Sequence, residues 1–208
     1  MDKFMNMKMN QIIRELKKLF PNAKMMLNYS NNWELLVAVM LSAQCTDKKV
    51  NEVTSKLFVK YKKLEDYANA YPKEFEKDIF STGFYRAKTK HIIESANIIK
   101  QKFNGEIPQG MKEMLALPGV ARKTANVVLG NAYNIVEGIA VDTHVRRLSL
   151  LMGLTTSPDP IKIENDLMNI VPKSEWFQIT YLFIEYGRKY CKAKRHLHLR
   201  CPLAKYDK

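Results

Sequence analysis

The sequence predicts an all-α protein, and three observations carry that expectation. Apolar residues recur at spacings of three and four along most of the chain. No stretch sustains period-two alternation. Gly and Pro number only 8 each in 208 residues, too few for a sandwich, a collagen or a disordered chain.

The elements follow in order. Ile12, Ile13, Leu16, Leu19 and Phe20 mark a first amphipathic helix. Trp33 to Leu41 is apolar on most sides and predicts a central, buried helix. Asp47 is placed as the cap of a helix carrying Val50, Val53, Leu57 and Phe58 on one face. Further stripes are Ile92, Ile93, Ala96, Ile99, then Ala125, Val128, Leu129, Ala132, then Val145, Leu148, Met152. Leu167 and Ile170 follow, and a long run from Trp176 to Tyr190 closes the series. Loops are marked by "NYSNN", "NGEIPQG" and "TTSPDP". No repeat and no low-complexity linker interrupts them.

Charge narrows the partners. Net charge is +13, from 34 Lys and Arg against 21 Asp and Glu. Phosphate neutralisation drives non-specific nucleic-acid binding, so nucleic acid ranks first among partners, ahead of a mere lysine-rich bias. An anionic membrane ranks lower, because no segment pairs a basic face with a strongly apolar one. The longest apolar stretch, "WELLVAVMLSA", is too short for a bilayer span. The opening "MDKFMNMKMNQ" has no signal-peptide core, and three cysteines are an odd count. A reduced, cytoplasmic protein is therefore expected, nucleoid-associated if prokaryotic.

"MLALPGVARKTANVVLGNAY", residues 114–133, reads as two helices joined by Leu117-Pro118-Gly119-Val120. Pro118 resists continuing the first helix and Gly119 permits a positive φ. The second helix then begins with unpartnered backbone amides at its positive end, a ready phosphate site. Spacing alone does not distinguish this from an ordinary helical corner. Lys123 shifts the balance: it lies in the first turn, roughly opposite the apolar stripe, beside Arg122 and the helix's positive end, a placement that favours the neutral, nucleophilic amine. Nineteen residues on, "IAVDTHVRRL" offers Asp142 as a helix cap that can also serve chemistry. His144, Arg146 and Arg147 are candidates for phosphate contact.

"LPGVARKTANVV" with "VDTHVRRL", preceded by "LLVAVMLSAQCTDKKVN", resembles the endonuclease III family of DNA glycosylase/AP lyases in the helix-hairpin-helix glycosylase superfamily. The likeness runs from about Leu35 to Tyr190. It implies two helical domains flanking a DNA-binding cleft: a six-helix domain at 25–135 with the hairpin at about 112–132, and a second domain from 1–24 and 136–208. Lys123 and Asp142 would face each other across the cleft as catalytic nucleophile and supporting carboxylate. Gln44 would enter the gap left by a flipped base, and Phe84 would be the apolar wedge. Gly119, Val120, Ala121, Arg122, His144 and Arg147 would contact DNA. Ala121 stands where the family prefers glycine. Asp47 is read as a cap and Cys45 as a small buried residue.

The implied function is a bifunctional glycosylase/AP lyase that removes oxidised pyrimidines from double-stranded DNA with damaged bases or abasic sites, acting as a monomer. Alternatives are an 8-oxoguanine glycosylase/lyase of the same superfamily and a non-catalytic helix-hairpin-helix DNA-binding protein.

The tail "CKAKRHLHLRCPLAKYD" departs from the family. The usual C-x6-C-x2-C-x5-C ladder for a [4Fe–4S] cluster falls on Cys191, His198, Cys201 and Asp207, so only two rungs are cysteine. Loss of the cluster ranks first, leaving an altered loop 191–207 with no metal expected. A single zinc on Cys191, His198, Cys201 and either Asp207 or His196 ranks second. A cluster with two non-cysteine ligands ranks third. Lys192, Lys194, Arg195 and Arg200 keep this loop basic.

Overall fold

The structure, a computed structural model, describes residues 3–194 and 196–207. Arg195, counted above among the basic loop residues, lies outside them. Among the described residues there is no strand, and no helix is long and apolar enough to cross a membrane.

The chain divides into two compact units. One comprises Met26–Ile135 and the other Met1–Met25 with Val136–Lys208.

The 26–135 unit holds α2 (Asn32–Leu41), α3 (Asp47–Lys60), α4 (Leu64–Ala68), α5 (Pro72–Ile79), α6 (Tyr85–Lys102), α7 (Met111–Leu115) and α8 (Arg122–Tyr133), two of them little more than one turn. Every residue from Trp33 to Leu41 is buried, Glu34 included, in keeping with a pattern apolar on most sides, and each large apolar side chain so buried contributes about 1.5–3 kcal/mol. Asn31 caps α2 by accepting from Glu34 N at 2.9 Å, and Glu34 returns to Ser30 N at 2.6 Å. Trp33, Tyr61, Tyr67 and Phe75 form a ring cluster with neighbouring centroids 5.2–5.8 Å apart. Helix α8 packs on α2 and α7, and α6 on α4 and α5.

One cap differs from expectation. Thr46, not Asp47, is the N-cap of α3, and its hydroxyl accepts from Lys49 N at 3.3 Å. Asp47 is the first helical residue, where its charge complements the helix dipole instead of closing the end.

The other unit contains α1 (Lys3–Leu19), α9 (Thr143–Leu151), α10 (Pro160–Ile170) and α11 (Trp176–Lys189). Met9, Ile12, Ile13 and Leu16 on α1 join Val145, Leu148, Ile163, Leu167, Leu182, Phe183 and Tyr186 in one core. The residues after α11 belong to it too: Cys191, Cys201 and Leu203 are buried there. Tyr206 and Lys205 both reach Glu15 on α1, each at 2.7 Å, so the C-terminal loop is docked at its far end.

Candidate active site and nucleic-acid interface

In the 26–135 unit, α7 and α8 are joined by a tight turn. Leu117 N donates to Met114 O and Val120 N to Leu117 O, each at 3.1 Å. Gly119 has φ +75°, and a Cβ built there would come within 2.7 Å of His91 Nδ1. Glycine is therefore needed twice over, for the left-handed backbone and for the close passage of α6. Ser95 Oγ, also on α6, donates to Pro118 O at 3.0 Å and pins the turn from the same side.

Ala121 is the N-cap of α8, with φ −89° and no side-chain cap bond. That backbone suits any residue, and the methyl is exposed, so the hairpin forms with alanine in the place where the family prefers glycine. Beyond the first turn α8 is buried from Ala125 to Gly130. Lys123 is its second residue and is half-buried. A helix start that presents backbone amides, a lysine and Arg122 together suits an anionic ligand.

Gln44 and Phe84 share an unusual feature. Both are exposed, and both have positive φ, 54° and 47°. The remaining non-glycine residues with positive φ among those described are Asn104 and Asn134, a type that tolerates this region. Gln and Phe do not, and each costs of order 1 kcal/mol of backbone strain. Phe84 is 64% exposed, so it is not a core aromatic. Both side chains therefore stand at exposed tips of this unit on strained backbone.

One residue that sequence reasoning passed over holds these tips in place. Lys88 is buried, yet its amine donates to Leu41 O at 2.8 Å and Thr82 O at 2.9 Å. Leu41 ends the helix before Gln44, and Thr82 lies two residues before Phe84. Burial pushes the Lys88 ammonium down from its ordinary value. The signal was present: Lys88 lies on the stripe Ile92, Ala96, Ile99, a cation on an apolar face. Replacing Lys88 by methionine is expected to strand two carbonyls and cost about 2–4 kcal/mol, lowering Tm and weakening abasic-DNA affinity together. A Lys88→Met protein with unchanged Tm and affinity would contradict this tie.

In the other unit, Asp142 is the N-cap of α9. Its Oδ1 accepts from His144 N at 2.9 Å and Val145 N at 2.8 Å. Both bonds use one oxygen, so Oδ2 takes no part in the cap. Arg147 Nη2 donates to Cys191 O at 2.6 Å and lies 3.5 Å from His144 Nδ1. Arg147 thus anchors the start of the C-terminal loop through Nη2. Helix α11 passes close by: a Cβ at Gly187 would fall 2.2 Å from His144 Nδ1.

Cys191, His196, His198 and Cys201 form a group able to hold a metal ion, with their ligand atoms all within 4.8 Å of one another. Burial and the neighbouring Cys201 push the Cys191 thiol up to about 11. Asp207 is not in this group. Its carboxylate meets His198 Nε2, on the opposite edge of the ring from the nitrogen that faces the others.

A glycine-turned hairpin that opens a lysine-bearing helix, with an aspartate-capped helix after it, defines a helix-hairpin-helix protein of the kind that works on DNA. In keeping with this, residues 37–173 match the family described as HhH-GPD superfamily base excision DNA repair protein. Over 194 residues the chain is 48% identical to endonuclease III of Synechocystis sp., covering 93% of this chain and 89% of that protein. It is 46% identical over 186 residues to endonuclease III of Bacillus subtilis, covering 89% and 84%. A solved non-covalent endonuclease III–DNA complex aligns at a TM-score of 0.93 and 41% identity, covering 98% of this chain and 95% of that one. The chain belongs to the endonuclease III family.

Within the 26–135 unit the structure holds Gly119–Lys123 on the hairpin and ties the segments bearing Gln44 and Phe84 through Lys88, and within the other unit Asp142, His144 and Arg147 lie on the first turns of α9. Lys123 and Asp142 belong to different units.

Proposed function

We propose that this protein is a base excision repair DNA glycosylase/AP lyase that removes oxidised pyrimidines from duplex DNA by lysine imine chemistry. The observation that carries the reading is Lys123 in the first turn of a helix opened by the Pro118-Gly119 turn, in a chain 48% and 46% identical to two endonucleases III. The 8-oxoguanine and non-catalytic readings have no comparable support.

In this reading the positive φ of Gly119 lets the turn's backbone approach a phosphate, and Arg122 adds charge there. Gln44 and Phe84 enter the duplex, which is opened because C1′ is inaccessible in a stacked helix. The Lys123 amine then attacks C1′ of the extruded nucleotide. The new N–C1′ bond forms as the glycosidic bond breaks, and the base leaves with the bonding pair and picks up a proton. The ring opens to an imine on Lys123. Loss of a 2′ proton expels the 3′ phosphate and cuts the strand. Asp142 takes the proton released by the amine and offsets positive charge at the sugar.

No step passes through a metal. The ladder that would hold a [4Fe–4S] cluster has His198 and Asp207 at two of its positions, and the Asp207 carboxylate is engaged with His198. We read the cluster as lost. The loop keeps Lys192, Lys194 and Arg200 for contact with the DNA backbone.

Excision from oligonucleotides bearing single lesions tests substrate choice. Release of oxidised pyrimidines with strand nicking is expected, at least about tenfold faster than release of 8-oxoguanine, a gap that contacts to one base edge readily supply. Preferential excision of 8-oxoguanine would favour the alternative.

A further inference from the structure

The contacts around His196 and His198 fix which nitrogens carry protons. His196 Nδ1 lies 2.9 Å from Lys194 O. A carbonyl only accepts, so Nδ1 carries the hydrogen, and in the neutral ring Nε2 presents a lone pair. His198 Nε2 faces the Asp207 carboxylate, so it carries the hydrogen and Nδ1 presents a lone pair. These two lone-pair nitrogens face each other at 3.3 Å. His198 Nδ1 is also 3.6 Å from Cys191 Sγ, and Cys201 Sγ completes the group. Two acceptors pointed at one another repel unless a proton or a metal ion lies between them, and with two cysteine sulfurs in the same group a metal ion satisfies all four atoms at once.

The separations identify the cation. Tetrahedral zinc with Zn–N of about 2.0–2.1 Å and Zn–S of about 2.3 Å places neighbouring nitrogens about 3.3–3.4 Å apart, and nitrogen and sulfur about 3.5 Å apart. The distances here are 3.3 and 3.6 Å. A four-iron cluster would need each ligand on a different iron, at the corners of a larger tetrahedron than one confined within 4.8 Å.

We propose that Cys191, His196, His198 and Cys201 bind one mononuclear zinc ion. Asp207 is then not a ligand. It is a positioning residue that holds the His198 ring and its tautomer, the role outer carboxylates commonly play. The surroundings are ordered to suit such a site. Arg147 holds Cys191 O, the Tyr186 hydroxyl accepts from Leu203 N at 3.1 Å, and Glu15 holds the loop's far end. Binding releases the two thiol protons to solvent and reduces nothing. The zinc would close the basic loop 191–207 as a structural staple.

The full-length protein, purified from cells grown with both iron and zinc, is expected to carry about one zinc per chain and no acid-labile sulfide. After removal of metal, cobalt(II) should restore strong visible bands of tetrahedral geometry with a thiolate-to-metal charge-transfer band. His196→Gln should raise the zinc dissociation constant at least about tenfold, and Asp207→Asn about 10–100-fold. Iron with acid-labile sulfide, a weak octahedral cobalt spectrum, or no stoichiometric metal would each overturn the proposal. Unchanged affinity in His196→Gln would overturn the ligand assignment. Should either variant fail to fold, the cobalt spectrum of the unaltered chain still decides. Lysine trapping on abasic DNA reports the lyase separately, so failure of one reading does not masquerade as failure of the other.

Discussion

Replacing Lys123 by glutamine is expected to abolish strand nicking at abasic sites and covalent trapping by borohydride, with lyase rates lower by at least about 10⁴-fold. The amine is the only group in the proposed scheme that forms a bond to the sugar, and glutamine has no lone pair of comparable nucleophilicity. At 1.36 kcal/mol per decade this is a loss of more than about 5 kcal/mol of transition-state stabilisation. Folding should be nearly unaffected, because Lys123 is half-buried at the start of α8 while the packing of that helix rests on Ala125 to Gly130. Binding to abasic DNA should persist through the turn and the exposed tips. A Lys123→Gln protein that binds and nicks at the original rate would assign the chemistry elsewhere.

Asp142 offers the second large effect, and here two roles must be separated. Its Oδ1 caps α9 through His144 N and Val145 N, so any truncation affects folding as well as charge. Asparagine keeps an oxygen acceptor and caps about as well as aspartate, whereas alanine loses about 1 kcal/mol. Asp142→Asn is therefore expected to hold Tm while lowering the rate about 10²–10⁴-fold, the range of a general acid–base contribution. Asp142→Ala should show the same rate loss with Tm lower by about 2–4 °C. Full activity in Asp142→Asn would reduce the residue to its cap.

Most of the fold could be read from periodicity. Trp33 to Leu41 is apolar on most sides, with Glu34 alone polar, so burial was expected, and the hairpin was marked by proline and glycine in adjacent positions. What could not be read depended on partners distant in sequence. Lys88 finds its two carbonyls six and forty-seven residues away, and only its place on an apolar stripe hinted at burial. Arg147 was read as a phosphate contact, and the bond from its Nη2 to Cys191 O, forty-four residues on, left no mark in the sequence. Thr46 and Asp47 are both good caps, and the backbone chose the threonine. The left-handed conformations of Gln44 and Phe84 leave no mark in sequence, since neither type favours them.

The C-terminal loop was legible in register but not in chemistry. Counting from Cys191 finds His198, Cys201 and Asp207, and that count alone leaves His196 and Asp207 as equal candidates for a fourth ligand. The hydrogen bonds separate them: Lys194 O turns the His196 lone pair inward, and His198 Nε2 takes the Asp207 carboxylate outward.

The central claim, that Lys123 attacks the sugar, is tested most directly by mapping the covalent adduct. The protein is trapped with borohydride on abasic DNA, digested, and the cross-linked peptide sequenced by mass spectrometry. The reduced sugar is expected on the Nζ of Lys123. An adduct on another amine, or nicking with no adduct at all, would contradict it.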